Sequence, residues 1–115
     1  MQIFPRRWTP VDKVEFLQRK VLINSIIYYN RDTNLMSDLK FDELCKQLVE
    51  LQKQVDVKDT MYGYVFYDFV GNTGFDLYHK LTEHDQKYLD NIVTHILTAD
   101  KKSVKIKSHK GGTLF

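Results

Sequence analysis

Ile27-Tyr28-Tyr29-Asn30-Arg31-Asp32, followed by Ser37-Asp38-Leu39-Lys40-Phe41-Asp42-Glu43-Leu44, is the stretch that decides the fold of this 115-residue chain. It reads as one helix ending in paired aromatics, a short polar turn, and a second helix opened by carboxylates and an aromatic. Asn30 and Asp32 favour turn backbone, and Ser37 is a hydroxyl able to cap the helix that follows it. Asp38, Phe41 and Asp42 fall at i, i+3 and i+4, which puts them on one side of that helix. The turn then brings Tyr28 and Tyr29 opposite them, framing an aromatic and acidic cleft suited to a cationic, hydroxyl-rich ligand.

Upstream, Thr9-Pro10-Val11-Asp12 is a helix start, with a hydroxyl cap, proline at the first helical position and an acid near the positive end of the dipole. Val11, Val14, Phe16, Leu17, Val21, Ile23, Ile26 and Ile27 continue near helical spacing. In the second helix Leu39, Phe41, Leu44, Cys45, Leu48 and Leu51 are the burial candidates. The short connection predicts an antiparallel helical hairpin over residues 9–53.

Downstream, residues 61–70 (MYGYVFYDFV) are rich in aromatic and β-favouring types and read as a strand. Gly71-Asn72-Thr73-Gly74 is a turn signal, and residues 75–81 read as a short helix or an extended piece. Thr82-Glu83-His84-Asp85 opens a third helix striped by Leu89, Ile92, Val93, Ile96 and Leu97, which Asp100-Lys101-Lys102 is expected to end. Val104 and Ile106 alternate with Lys105 and Lys107, the pattern of an edge strand guarded by lysines. Gly111-Gly112 then begins a tail. The expected fold is one α+β domain, 1–115, dominated by helix: the hairpin, a third helix and a small two-stranded β-sheet in a strand-helix-strand region over 61–110.

The totals bound the function. A hydrophobic content of 43% and an aromatic content of 13% supply enough apolar surface to offset chain entropy. A net charge of only +2 argues against the whole molecule being an electrostatic nucleic-acid binder. The single cysteine leaves no internal disulfide and, with no signal-peptide pattern and no long apolar run, points to a cytoplasmic setting. Cys45 reads as a small core residue. His79, His84, His95 and His109 lack metal-ligand spacing, so no metal site is expected. Lys101, Lys102, Lys105, Lys107 and Lys110 form a basic tail able to meet phosphate or an acidic partner.

Residues 20–51 resemble the extreme N-terminal helical subdomain of NAD-dependent DNA ligases, which holds the nicotinamide mononucleotide half of NAD. The family pattern runs Tyr-(His or Tyr), a turn with an aspartate, then (Ser or Pro)-Asp-x-x-Tyr-Asp-x-Leu. Tyr28 and Tyr29 match the aromatic pair, Asp32 the turn aspartate, Asp38 and Asp42 the helix-opening carboxylates, and Leu44 and Leu48 the packing positions. Phe41 departs, keeping the ring and losing the hydroxyl. The resemblance implies a nicotinamide mononucleotide site at Tyr28, Tyr29, Asp32, Asp38, Phe41 and Asp42. It implies no ligase activity, because the family's Lys-x-Asp-Gly nucleophile motif is missing: Lys40-Phe41-Asp42-Glu43 has glutamate where glycine is required. The expectation is a non-catalytic binding protein with no required cofactor, able to take NAD or nicotinamide mononucleotide. The alternatives are a phage or mobile-element interaction module acting on a host protein, or a separately encoded ligase fragment.

Overall fold

A computed structural model describes residues 2–71 and 76–108, with side chains through residue 99. The first helix, α1 (Pro10–Asn30), begins with a reciprocal capping box. The Asp12 N–H donates to Thr9 Oγ1 at 3.2 Å, and the Thr9 N–H donates to Asp12 Oδ2 at 2.9 Å. Its buried stripe of Val14, Leu17, Val21, Leu22, Ile26 and Ile27 forms the spine of the core. Each such side chain removed from water contributes roughly 1.5–3 kcal/mol. At the C-terminus the Arg31 N–H reaches back to the Ile26 carbonyl, and Asp32 turns the chain with φ +53°. Aspartate tolerates that left-handed backbone better than most residues.

The second helix, α2 (Asp38–Gln52), is capped as the sequence predicts, with the Lys40 N–H donating to Ser37 Oγ at 3.1 Å. Leu44, Cys45 and Leu48 are buried. Leu39 is not: it lies 68% exposed on the outer side of the first turn, correcting its expected burial. Val11, at the start of α1, is likewise outside the core. Gln18 of α1 bonds Gln52 at the far end of α2, while Tyr28 and Tyr29 sit near the first turns of α2, so the two helices run antiparallel.

The expected strand over 61–70 is corrected. After a 3-10 turn (Val57–Asp59) the segment forms a single helical turn, α3 (Gly63–Phe66). Tyr62, Val65 and Phe66 are buried, with Phe69 packed against them, whereas Tyr64 and Tyr67 are exposed. That spacing of i, i+3, i+4 and i+7 is helical; strand alternation would have buried Tyr64 beside Tyr62. Gly63 allows the close approach, since a Cβ there would come within 2.0 Å of the Val57 carbonyl oxygen.

The segment read as either helix or extended chain contains a one-turn helix, α4 (Leu77–Lys80). The last helix, α5 (Glu83–Ser108), is capped by Thr82, whose Oγ1 accepts from the Asp85 N–H at 3.1 Å. It does not end at 100–102, and the expected edge strand at its C-terminus is instead its continuation. Extending a helix adds a hydrogen bond per residue without a partner, whereas an edge strand needs a neighbour, and the described residues contain no strand. The α+β expectation therefore gives way to a helical fold, without the two-stranded sheet. Residues 72–74 of the turn signal, residue 75 at the start of the next segment, His109, Lys110 and the tail beyond lie outside the described residues.

α1 is central, packing against α2, α4 and α5. One polar cluster ties this layer to the α3 segment. Gln18, fully buried, donates to Thr60 Oγ1 at 2.8 Å and to Gln52 Oε1 at 3.3 Å, and accepts from the Tyr62 N–H at 3.2 Å. Gln52 in turn donates to the Phe66 carbonyl, and Thr60 to the Val57 carbonyl at 2.6 Å. Replacing Gln18 by leucine would leave the Tyr62 N–H and Gln52 Oε1 buried without their partner. The Gln18→Leu variant should lose on the order of 3 kcal/mol of unfolding free energy, read as a lowered urea midpoint with unchanged helical circular dichroism at 20 °C.

Candidate functional site

A cleft of about 330 Å³ opens between the end of α1, the 31–37 turn and the first turns of α2. Its lining includes Tyr28, Tyr29, Asp38, Phe41 and Asp42, five of the six residues singled out from sequence. The sixth, Asp32, is not among the lining residues; its place is in the turn, where its positive φ redirects the chain.

The rings of Tyr28 and Tyr29 meet edge to face, with centroids 4.8 Å apart and planes at 84°. They remain 46% and 41% exposed, so a ligand can reach their faces. Across the cleft, Asp38 occupies the first turn of α2, which is also where a helix N-terminus favours a carboxylate on dipole grounds alone. Asp42, one turn on, pairs with Lys46 at 3.0 Å, the lysine side chain largely in solvent and the aspartate side chain 43% exposed. An i,i+4 pair this exposed is worth about 0.3–0.5 kcal/mol and is readily exchanged for a ligand cation.

Cys45 lines the cleft yet is only 1% exposed. Burial pushes its thiol up to about 12, and the Asp42 carboxylate adds to the shift. It is therefore a neutral, weakly reactive wall atom at ordinary pH, in keeping with a small core residue. Beside it the wall continues in Gly71, at φ +84°, where a Cβ would come 3.1 Å from Val49 Cγ2 and 3.5 Å from the Cys45 carbonyl oxygen.

Sequence reasoning missed Asn24, Asn34, Leu35, Met36, Cys45 and Gly71 as lining residues. Two of them were within reach of spacing arguments. Asn24 lies one turn before Tyr28, and Cys45 lies three residues after Asp42, so extending the same helix faces finds both. Gly71 comes from a segment distant in sequence and carries no local signal for this placement.

Chemically, the cleft combines π faces with two carboxylates, an environment that attracts a cationic ring and offers acceptors to hydroxyls. Among the described residues no group of three His, Cys, Asp or Glu side chains could hold a metal ion. No described helix is long and apolar enough to cross a membrane. Lys101, Lys102, Lys105 and Lys107 of the basic run fall within the last turns of α5. Comparison with protein-family models, with characterised proteins and with solved structures finds no match for this chain.

The raised thiol has company. Tyr62, Tyr64 and Tyr78 are also shifted upward, chiefly by burial, with Asp85 adding to the first two and Asp90 to the third. A group whose folded pKa is raised stabilises the fold fully below its unfolded value and loses that contribution as pH climbs toward the folded value. The urea midpoint should therefore begin to fall once pH passes 9.0, the ordinary thiol value, and fall further above 10.0 as unfolded phenols ionise. Cys45→Ala should remove the earlier part of that decline.

Proposed function

We propose that this chain is a binding protein whose cleft takes the nicotinamide mononucleotide part of NAD, or the free mononucleotide, without carrying out a chemical step on it. The observation that supports this reading is the convergence of Tyr28, Tyr29, Phe41, Asp38 and Asp42 on one open hollow. An oxidised nicotinamide ring is aromatic and positively charged, so phenol faces and nearby carboxylates stabilise it by stacking and by charge attraction. Ribose hydroxyls would donate to Asp38 or Asp42, charge-assisted bonds stronger than neutral ones. These five residues are the ones that the sequence resemblance to the ligase subdomain singles out, with Phe41 departing from the tyrosine of that pattern. Affinity should be modest, because the cleft covers one side of such a ligand and leaves the other in water.

Calorimetry with nicotinamide mononucleotide at millimolar concentration should give measurable heat, against none for adenosine monophosphate. Tyr28→Ala and Asp42→Asn should each weaken binding about tenfold, the equivalent of one stacking contact or charged hydrogen bond. Absence of heat and of any thermal shift for the wild-type chain would remove the reading.

A second reading, a protein-interaction module, is favoured by a different surface. Met61, Tyr64, Tyr67 and Val70 are 52%, 40%, 59% and 70% exposed along and just after α3, an unusual amount of apolar surface for so short a segment. If that surface serves a protein partner, Tyr67→Lys together with Val70→Lys will abolish co-purification of that partner from the native host while mononucleotide binding persists. Retention of the partner by the double variant would exclude this face.

A further inference from the structure

Beside the cleft lies a second hollow, of about 180 Å³, lined by Gln2, Lys20, Met36, Lys40, Glu43 and Leu44. Met36 of the 31–37 turn lines both, so the two hollows meet at that residue. Their charges are opposite. The cleft presents Asp38 and Asp42, whereas the second hollow presents two ammonium groups against the one carboxylate of Glu43.

Among the described residues neither lysine sits within ion-pairing distance of a carboxylate. Lys20 is held in place by neutral groups: its Nζ donates to Gln2 Oε1 at 2.7 Å and lies 5.8 Å from the centroid of the Phe16 ring. Gln2 is itself fixed, because its N–H donates to Gln47 Oε1 and its carbonyl accepts from Gln47 Nε2, both at 3.0 Å. Lys40 is exposed on the first turn of α2, its backbone N–H already taken by Ser37. A positioned ammonium and an exposed one thus face a hollow that adjoins an acidic, aromatic one.

We infer that the ligand spans both hollows: its cationic ring occupies the aromatic cleft, and a phosphate monoester passes over Met36 to Lys20 and Lys40. This rests on the nicotinamide reading of the cleft and narrows it. The preferred ligand class is the 5′-phosphate of a cationic aromatic nucleoside, ahead of the nucleoside or the free base. Ammonium-to-phosphate contacts are charge-assisted and, at a partly open site, weaken as salt rises.

The test is calorimetry of nicotinamide riboside and nicotinamide mononucleotide, in parallel, against the wild-type chain and Lys40→Glu. Glutamate at position 40 falls where a capping box with Ser37 places it, so this variant keeps the helix start. For the wild type at low salt the mononucleotide should bind about tenfold more tightly than the riboside, the gain expected of one or two such contacts. Raising the salt to about 0.5 M should shrink that advantage. Lys40→Glu should erase it while the riboside binds as well as before or better, and Lys20→Met should reduce it. Riboside binding with no added affinity from the phosphate, or an advantage that survives Lys40→Glu, would overturn the inference and leave the cleft reading standing. Failure of both ligands on the wild type would overturn the two together.

Discussion

Gln18 holds this molecule together at a point where apolar contacts could not. It is a fully buried amide on α1 that answers three partners from two other segments: Gln52 on α2, and Thr60 and the Tyr62 backbone in the stretch between the 3-10 turn and α3. Apolar packing is non-directional and would tolerate several rotations of α2 and of the α3 segment about α1. Hydrogen bonds of fixed geometry allow one. None of the described buried side-chain nitrogen or oxygen atoms lacks a partner, so the cluster fixes the arrangement without a desolvation penalty left uncompensated.

That anchor lies at one end of the hairpin, and the cleft lies at the other. The 31–37 turn closes the end near Tyr28, and Arg31 ties it to α5, its guanidinium donating to the Thr94 hydroxyl at 3.0 Å and to the Asp90 carbonyl at 3.3 Å. Held at both ends, α1 and α2 stay far enough apart at the turn for an open hollow to persist. A second brace crosses the start of the chain, where Phe4, Trp8 and Phe16 form a three-ring cluster with centroids 5.5–6.0 Å apart. It sits next to the Gln2–Gln47 pair and so supports the wall on which Lys20 is placed.

The hairpin was legible because several independent signals agreed there: Thr9 and Pro10 opening α1, Asn30 and Asp32 ending it, Ser37 capping α2, and helical spacing between. Local caps act through the nearest backbone groups, so sequence alone reports them. Residues 61–70 misled because composition and spacing disagreed. Their residue types favour strands, but Tyr62, Val65, Phe66 and Phe69 are the ones that pack, and the core they must meet selects helical phase. At the C-terminus six residues were too few to separate an alternating strand from the last turns of a helix. The cleft's two helical walls were readable from Tyr28 and from Asp38 to Asp42. Its remaining boundary was not, since Met36 and Gly71 owe their places to the path of the turn and to tertiary packing.

Gly71 carries the consequence of that last point. A wall of the hollow is supplied by a segment some forty residues downstream of Tyr28, so the hollow depends on more of the polypeptide than the hairpin motif. Excising the motif as a peptide would preserve its signature letters and discard the enclosure they line.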